Sequence, residues 1–169
     1  MNITFGPKTR QYPNGLLMVD DAYICFPNFS GRGDKFNKEG DRNFGLRILD
    51  QETLDRLQAD KNEYGDSWNV KIKAPRTEDE EPFMFMKVKV KFNGRGPKVY
   101  LISGNNRIEL DEETIGMLDD IDIERIDMDI RPYDDIMPSG KSFRAAYLDG
   151  MEVVQRVDRF TARYESDEE

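Results

Sequence analysis

Histidine is absent from this 169-residue chain, and cysteine occurs once, at Cys25. Without an imidazole, neither a Ser-His-Asp triad nor a Cys-His nucleophile can be assembled, and His-bearing zinc sites are excluded. A single thiol permits no disulfide framework and no Cys-cluster zinc or iron–sulfur site, and it suits a reducing compartment. Carboxylate oxygen is the ligand left for a metal, which keeps Mg²⁺ and Ca²⁺ open. Long apolar runs are missing as well. None approaches the ~20 residues that a bilayer crossing needs, so no membrane partner is expected. The opening residues, MNITFGPKTR, lack the apolar stretch of a secretory signal, and the expected location is the cytoplasm. These absences tilt the reading from catalysis toward binding, with no cofactor expected.

What the chain has in excess is charge. Charged residues make up 35% against 37% hydrophobic, and the formal net charge is −9. A negative total disfavours nucleic acid only if the charge is evenly spread, and it is not. Residues 86–98 carry Lys87, Lys89, Lys91, Arg95 and Lys98 with no acid. Residues 111–135 carry eleven acids against Arg125 and Arg131. The end, YESDEE, is acidic again. A chain with separate basic and acidic districts can hold an anion on one face.

Short strand-like runs punctuated by turns dominate the rest. Residues 21–26 (DAYICF) read as a strand, and residues 27–42 as a long glycine-bearing loop or open hairpin. In residues 43–49, Phe44, Leu46 and Ile48 share one face. Asp50 is placed to cap a short helix through residue 60, with Leu54 and Leu57 on its inner side. Residues 68–73 alternate again, with Trp68 read as a core anchor. The clearest element is residues 84–92 (MFMKVKVKF). There Met84, Met86, Val88, Val90 and Phe92 face one way, and Phe85, Lys87, Lys89 and Lys91 the other, which specifies a half-buried antiparallel strand. Strands over 98–103 and 107–110 and a second short helix from Asp111 through residue 118 follow. Residues 121–130 alternate with a slip at Glu124-Arg125, the mark of a bulge. Strands over 142–148 and 152–164 close the pattern. This composition of elements predicts an all-β fold with two short helices. The form expected is an OB-like Greek-key barrel with additional strands, filling residues 1–164 as a single domain, with residues 165–169 as an acidic disordered tail. An immunoglobulin-like sandwich is the alternative architecture.

Three stretches carry candidate chemistry. The strand face of Phe85, Lys87, Lys89 and Lys91, with Lys71 and Lys73 on a neighbour and Arg95 at the next turn, spaces cations by about 6–7 Å, suited to a phosphate backbone. Its bland alternative is a solvated edge that uses lysine against aggregation. The loop interleaves rings with cations: Phe29, Arg32, Lys35, Phe36, Asn37 and Lys38, followed by Arg42 and Arg47. Rings offer stacking platforms for bases while cations track phosphates; the competing expectation is that Phe29 and Phe36 tuck into the edge of the core. The glycines of this loop are not a phosphate-binding GK[ST] loop. Third, Asp127 and Asp129 on one strand face could share a metal, as in a metal-dependent nuclease, or stand solvated. The acidic stretch 111–135 also supports a second function class: a protein-interaction or anti-defence factor whose acids mimic DNA.

The blocks FPNFSGRGDKFNKEGDRNFGLRI, WNVKIKAPR, FMKVKVKF, PKVYLIS, LDEETIGML and DIRPY together resemble a family of small phage-encoded single-stranded DNA-binding proteins of OB-like fold. The resemblance implies a non-enzymatic protein that binds single strands independently of sequence, shielding them in phage replication or recombination. It would place the binding surface around Arg32, Lys35, Phe36, Asn37, Lys38, Arg42 and the Lys87–Lys91 strand. Replication or recombination proteins, docking on the acidic tail, are the implied protein partners, although this tail ends in Glu169 rather than an apolar residue. A homo-oligomer with the groove between chains is a further expected arrangement.

Overall fold

The computed structural model describes residues 1–94 and 96–158. Arg95 and the 165–169 tail therefore lie outside the described residues. Ten strands form one sheet: β1 Asn2–Gly6, β2 Leu16–Asp20, β3 Ile24–Asn28, β4 Arg42–Ile48, β5 Val70–Lys73, β6 Phe83–Val90, β7 Lys98–Ser103, β8 Asn106–Leu110, β9 Ile123–Ile136 and β10 Ser142–Gln155. Its main path runs β1-β2-β9-β10-β6-β4-β3, with β5 attached to β6 and the β7–β8 hairpin attached to β10. The all-β, OB-like architecture holds, as one continuous sheet rather than two sandwiched ones. It is not closed into a barrel, because β1 and β3, at the two ends of the path, do not pair with each other.

The period-two pattern of β6 makes it the centre of one half of the molecule. Met84, Met86, Val88 and Val90 are buried against Phe44, Leu46 and Ile48 of β4, with which β6 pairs along its length. On its other edge β6 meets β5 over Phe83–Met86 and then β10 at Lys89, opposite Tyr147. The long strands β9 and β10 tie this half to the other. They pair antiparallel with each other while β10 runs parallel to β7. The slip at Glu124-Arg125 is a bulge: Val154 pairs with Arg125 and Gln155 with Ile123, leaving Glu124 over.

Several elements differ from expectation. β1 and β2 pair as a hairpin that burial of Ile3, Leu17 and Val19 holds to the core; each strand is too short for its alternation to stand out. The expected strands 142–148 and 152–164 are one strand, β10, which crosses Asp149 by a bulge and stops at Gln155, where β9 offers no further partner. Residues 159–164 of the expected last strand fall outside the described residues. Helix α1, Gln51–Ala59, starts as expected, with the Asp50 carboxylate accepting from the Thr53 N–H at 2.7 Å and Leu54 and Leu57 buried. The second helix is only a 3₁₀ turn, Ile115–Asp119. Its two buried side chains, Ile115 and Leu118, are three apart, a spacing that one tight turn satisfies.

One buried charge cluster pins α1 to the sheet. The Arg144 guanidinium, with 3% of its side chain exposed, donates to both carboxylate oxygens of Asp134 at 2.7 and 3.0 Å. It also reaches Asp60, the C-cap of α1, at 3.4 Å and stacks on Trp68, 5.1 Å away. The Trp68 indole N–H in turn donates to Asp60 at 2.8 Å. Trp68 is thus the core anchor expected, with an arginine laid over its ring.

Candidate nucleic-acid interface

Because β4 and β6 bury one face, their alternate residues stand on the opposite, solvent-facing side, and β5, largely exposed, lies at their edge. Cross-strand register sets them in rows: Lys73 beside Phe83, Lys71 beside Phe85 and Arg47, and Lys87 beside Gly45. Lys71, Lys73, Lys87, Lys89 and Arg47 all stand exposed on this face. Lys91 continues the line past the end of β6.

The rings of this face are clustered, and one of them was not anticipated. Phe26 sits at an irregularity in the β3–β4 ladder, between the Cys25 and Asn28 pairings, with φ of +50°. That left-handed backbone turns its ring out of the ladder, 58% exposed, over Phe85 at 5.3 Å and Phe83 at 5.9 Å. Lys73 lies over both Phe26 (5.4 Å) and Phe85 (5.7 Å), and Arg47 over Phe83 at 5.0 Å. A residue with a Cβ held at such a φ costs about 1–2 kcal/mol, and strain of this kind concentrates at functional sites. Phe26→Gly and Phe26→Ala both remove the ring. The Gly variant is expected to be the more stable by about 1 kcal/mol in denaturant melts. Both are expected to bind a single strand about tenfold more weakly, the value of one stacked base.

Between these rings and the loop lies a groove of about 830 Å³. Phe26, Phe85, Lys71, Lys73 and Lys87 form one wall, and Arg32, Phe36 and Asn37 of the loop the other. Gly45 keeps its floor low. A Cβ there would lie 2.7 Å from the Cys25 sulfur and 3.2 Å from Phe85. Burial raises the Cys25 thiol's pKa, against the opposing pull of Arg47 and Lys73, so the thiol stays protonated and packs under the groove.

The loop is held by its own side chains. The Asn28 amide clips both the N–H and the carbonyl of Arg32. The Asn37 amide donates to the carbonyls of Arg32, Lys38 and Asp41, and its oxygen accepts from Asn43. At the loop's base the Asp119 carboxylate accepts from the N–H groups of Phe29 and Ser30 and from the Ser30 hydroxyl.

These contacts sort the expected site residues. Arg32, Phe36, Asn37, Lys71, Lys73, Phe85 and Lys87 converge on the groove, and Arg47 lies over Phe83, outside its lining. Lys89 and Lys91 line an adjoining hollow with Lys87. Phe36 is 86% exposed. Lys35 lies over it at 5.2 Å, and Lys38 is exposed on the same loop, both outside the groove lining. Phe29 is a correction: it is fully buried against Phe44, at 5.4 Å, and cannot stack on a base. Arg42 lines the hollow of Lys89 and Lys91, but its guanidinium is largely buried and reaches Glu112. The Asn37 amide is spent on the loop, which leaves it a scaffold residue at the groove wall.

The acids do not neutralise this face. Elsewhere cations are paired, as in Lys98–Glu109, Arg107–Glu152 and Arg125–Asp127. Among the described residues, Arg47, Lys71, Lys73, Lys87, Lys89 and Lys91 make no ion pair. Much of the acidic stretch 111–135 is consumed internally. Asp111 caps the turn at Thr114, Asp119 anchors the loop, and Asp134 holds Arg144. Asp127 accepts from the Asp21 N–H and from Arg125.

The family described as "Putative phage ssDNA-binding domain" matches residues 8–167. The chain belongs to this family. As a phage single-stranded-DNA-binding domain it is a binder, not an enzyme, and the nuclease reading of Asp127 and Asp129 falls away. No group of three or more potential metal ligands occurs among the described residues. Similar solved structures include the single-stranded DNA-binding protein from bacteriophage Enc34, at 16% identity over 94% of this chain and 91% of that one, with a TM-score of 0.47. Its C-terminal truncation is 13% identical over 93% and 97%, with a TM-score of 0.45. Its complex with ssDNA is 16% identical over 93% and 96%, with a TM-score of 0.45. No curated protein matches the sequence. No described helix of this phage domain is long and apolar enough to cross a membrane.

Proposed function

We propose that this domain binds single-stranded DNA without regard to sequence along the outer face of β4, β5 and β6, and so shields exposed strands during phage replication or recombination in the host cytoplasm. The observation that carries the site is the row of unpaired cations set beside exposed phenylalanines in one groove. Lysines on alternate strand residues repeat every 6–7 Å or so, which suits the phosphates of an extended strand. Phe26, Phe85 and Phe36 present ring faces and edges that any base can stack on, so the groove selects for unpaired bases and not for their identity. Charges on the walls would draw the polyanion in, even though the molecule is negative overall.

Titrating a fluorescent oligothymidylate at several salt concentrations tests this. Six cations each displacing a condensed counterion give a log–log slope of about −4, at about −0.7 per phosphate on a single strand. A flat salt response, or no binding at ~50 mM salt, removes the proposal.

A further inference from the structure

We infer that the bound strand does not end at the phenylalanine groove but continues along the β6 lysines to a second base-stacking platform built by Tyr147, Tyr133 and Phe143. The inference rests on the binding face proposed above and extends it onto β9 and β10. Tyr147 is the β10 residue that pairs with Lys89, and across the other edge of β10 it pairs with Arg131. Both cations lie over its ring, Lys89 at 5.7 Å and Arg131 at 6.0 Å. Tyr133 packs against it edge-on at 5.8 Å and touches Phe143 at 6.1 Å. Three rings, with two cations over one of them, repeat the chemistry of the phenylalanine groove on the same face of the same sheet.

The ground between the two platforms is lined by lysines, with Asp41 and Glu112 also lining its middle hollow. Lys87 lines the phenylalanine groove. It also lines a hollow of about 430 Å³ shared with Lys89 and Phe143, and another of about 430 Å³ shared with Lys89, Lys91 and Tyr147. Beyond Tyr147 a third hollow, about 510 Å³, opens between Lys91, Arg131 and Tyr133. Beside Tyr133 stands Asp135, whose carboxylate takes the Tyr133 hydroxyl at 2.9 Å and the Ile136 N–H. From Phe85 to Lys89 is four strand residues, about 13 Å, and Tyr147 is one strand further across, about 5 Å. The platforms are therefore about 14 Å apart, which spaces their bases two or three nucleotides apart on one strand.

Binding of an oligothymidylate of about 15 nucleotides, long enough to span both platforms, tests the inference in three proteins. Tyr147→Ala is expected to lower affinity about tenfold, and Tyr147→Phe, which keeps the ring, to stay within about twofold of the parent. Equal affinity of parent and Tyr147→Ala overturns the second platform while leaving the binding face standing. Absence of binding by the parent overturns the binding face itself. Should Tyr147→Ala melt early, photocrosslinking of the parent decides. Oligonucleotides carrying a single 5-iododeoxyuridine at successive positions are expected to crosslink at Phe26 or Phe85 and, two or three positions on, at Tyr147 or Tyr133. Crosslinks confined to the phenylalanine groove overturn the inference.

Discussion

Reversing Lys87, Lys89 and Lys91 together to Glu is expected to abolish single-strand binding and leave the fold intact. Each site turns an attraction to a phosphate into a repulsion, about 2 kcal/mol at 4 Å in water. Three sites sum to about 6 kcal/mol, or roughly 10⁴-fold in affinity before screening. Salt near 0.1 M trims this to a loss of about 10³-fold or more. Stability should change little, because all three side chains are exposed and, among the described residues, make no ion pair, so that only the contact of Lys89 with the Tyr147 ring is lost. Fluorescence anisotropy with oligothymidylate reads the affinity, and a thermal melt reads the fold. The comparison protein reverses Lys61, Lys98 and Lys141, which are exposed but line no part of the groove, and is expected to lose less than tenfold. Equal losses in the two triple variants would mean that total charge, not this face, holds the strand.

The second large effect is on stability. Arg144→Met leaves Asp134 buried with its strongest partner gone, a loss of about 3–5 kcal/mol. At this chain length that lowers the melting temperature by about 6–20 °C. Burial alone would push the Asp134 carboxyl up, but the hydrogen bonds from Arg144 oppose it, and the group is held below the ordinary carboxylate value. A carboxylate held down in the fold stabilises above its unfolded pKa, near 4, and the contribution disappears as pH falls through the folded value. In Arg144→Met burial loses its main opponent, so protonating Asp134 relieves the variant. The stability gap between the two proteins should therefore begin to narrow above about pH 4, as the variant's carboxyl protonates, and go on narrowing below it as the parent's does. Adding Asp134→Leu to Arg144→Met is expected to recover part of the loss, since no charge is then left buried. Calorimetry across pH on the three proteins reads all of this. A gap that stays constant down to pH 3 or so would place the arginine's contribution in packing on Trp68 rather than in its charge.

The parts of this molecule visible in the amino-acid string are those fixed by neighbours in the chain. β6 announces itself because five apolar residues alternate with Phe85 and three lysines, and a pleated strand must bury one of those sets. Asp50 three residues before Thr53, and the slip at Glu124, are equally local signals. What stays hidden depends on distant partners. Phe29 and Phe36 occupy the same loop and look alike in sequence. Asp119, ninety residues away, ties the backbone of the first into the core and leaves the second in solvent. Phe26 reads as one more strand residue until the irregularity opposite β4 rotates it outward. Arg144, in a run that otherwise reads as strand, gives no local sign of the two acids, 10 and 84 residues distant, that bury it. No sequence pattern contains the further fact that, among the described residues, the β6 lysines make no ion pair.

Lysine footprinting bears most directly on the claim that the strand lies on the outer face of β4, β5 and β6. The protein is acetylated with and without saturating oligothymidylate, and each lysine is quantified by mass spectrometry. Protection of Lys71, Lys73, Lys87, Lys89 and Lys91 is expected, with Lys61, Lys98 and Lys141 modified as in the free protein. Protection centred on Lys98 or Lys141, or spread evenly over every lysine, would contradict it.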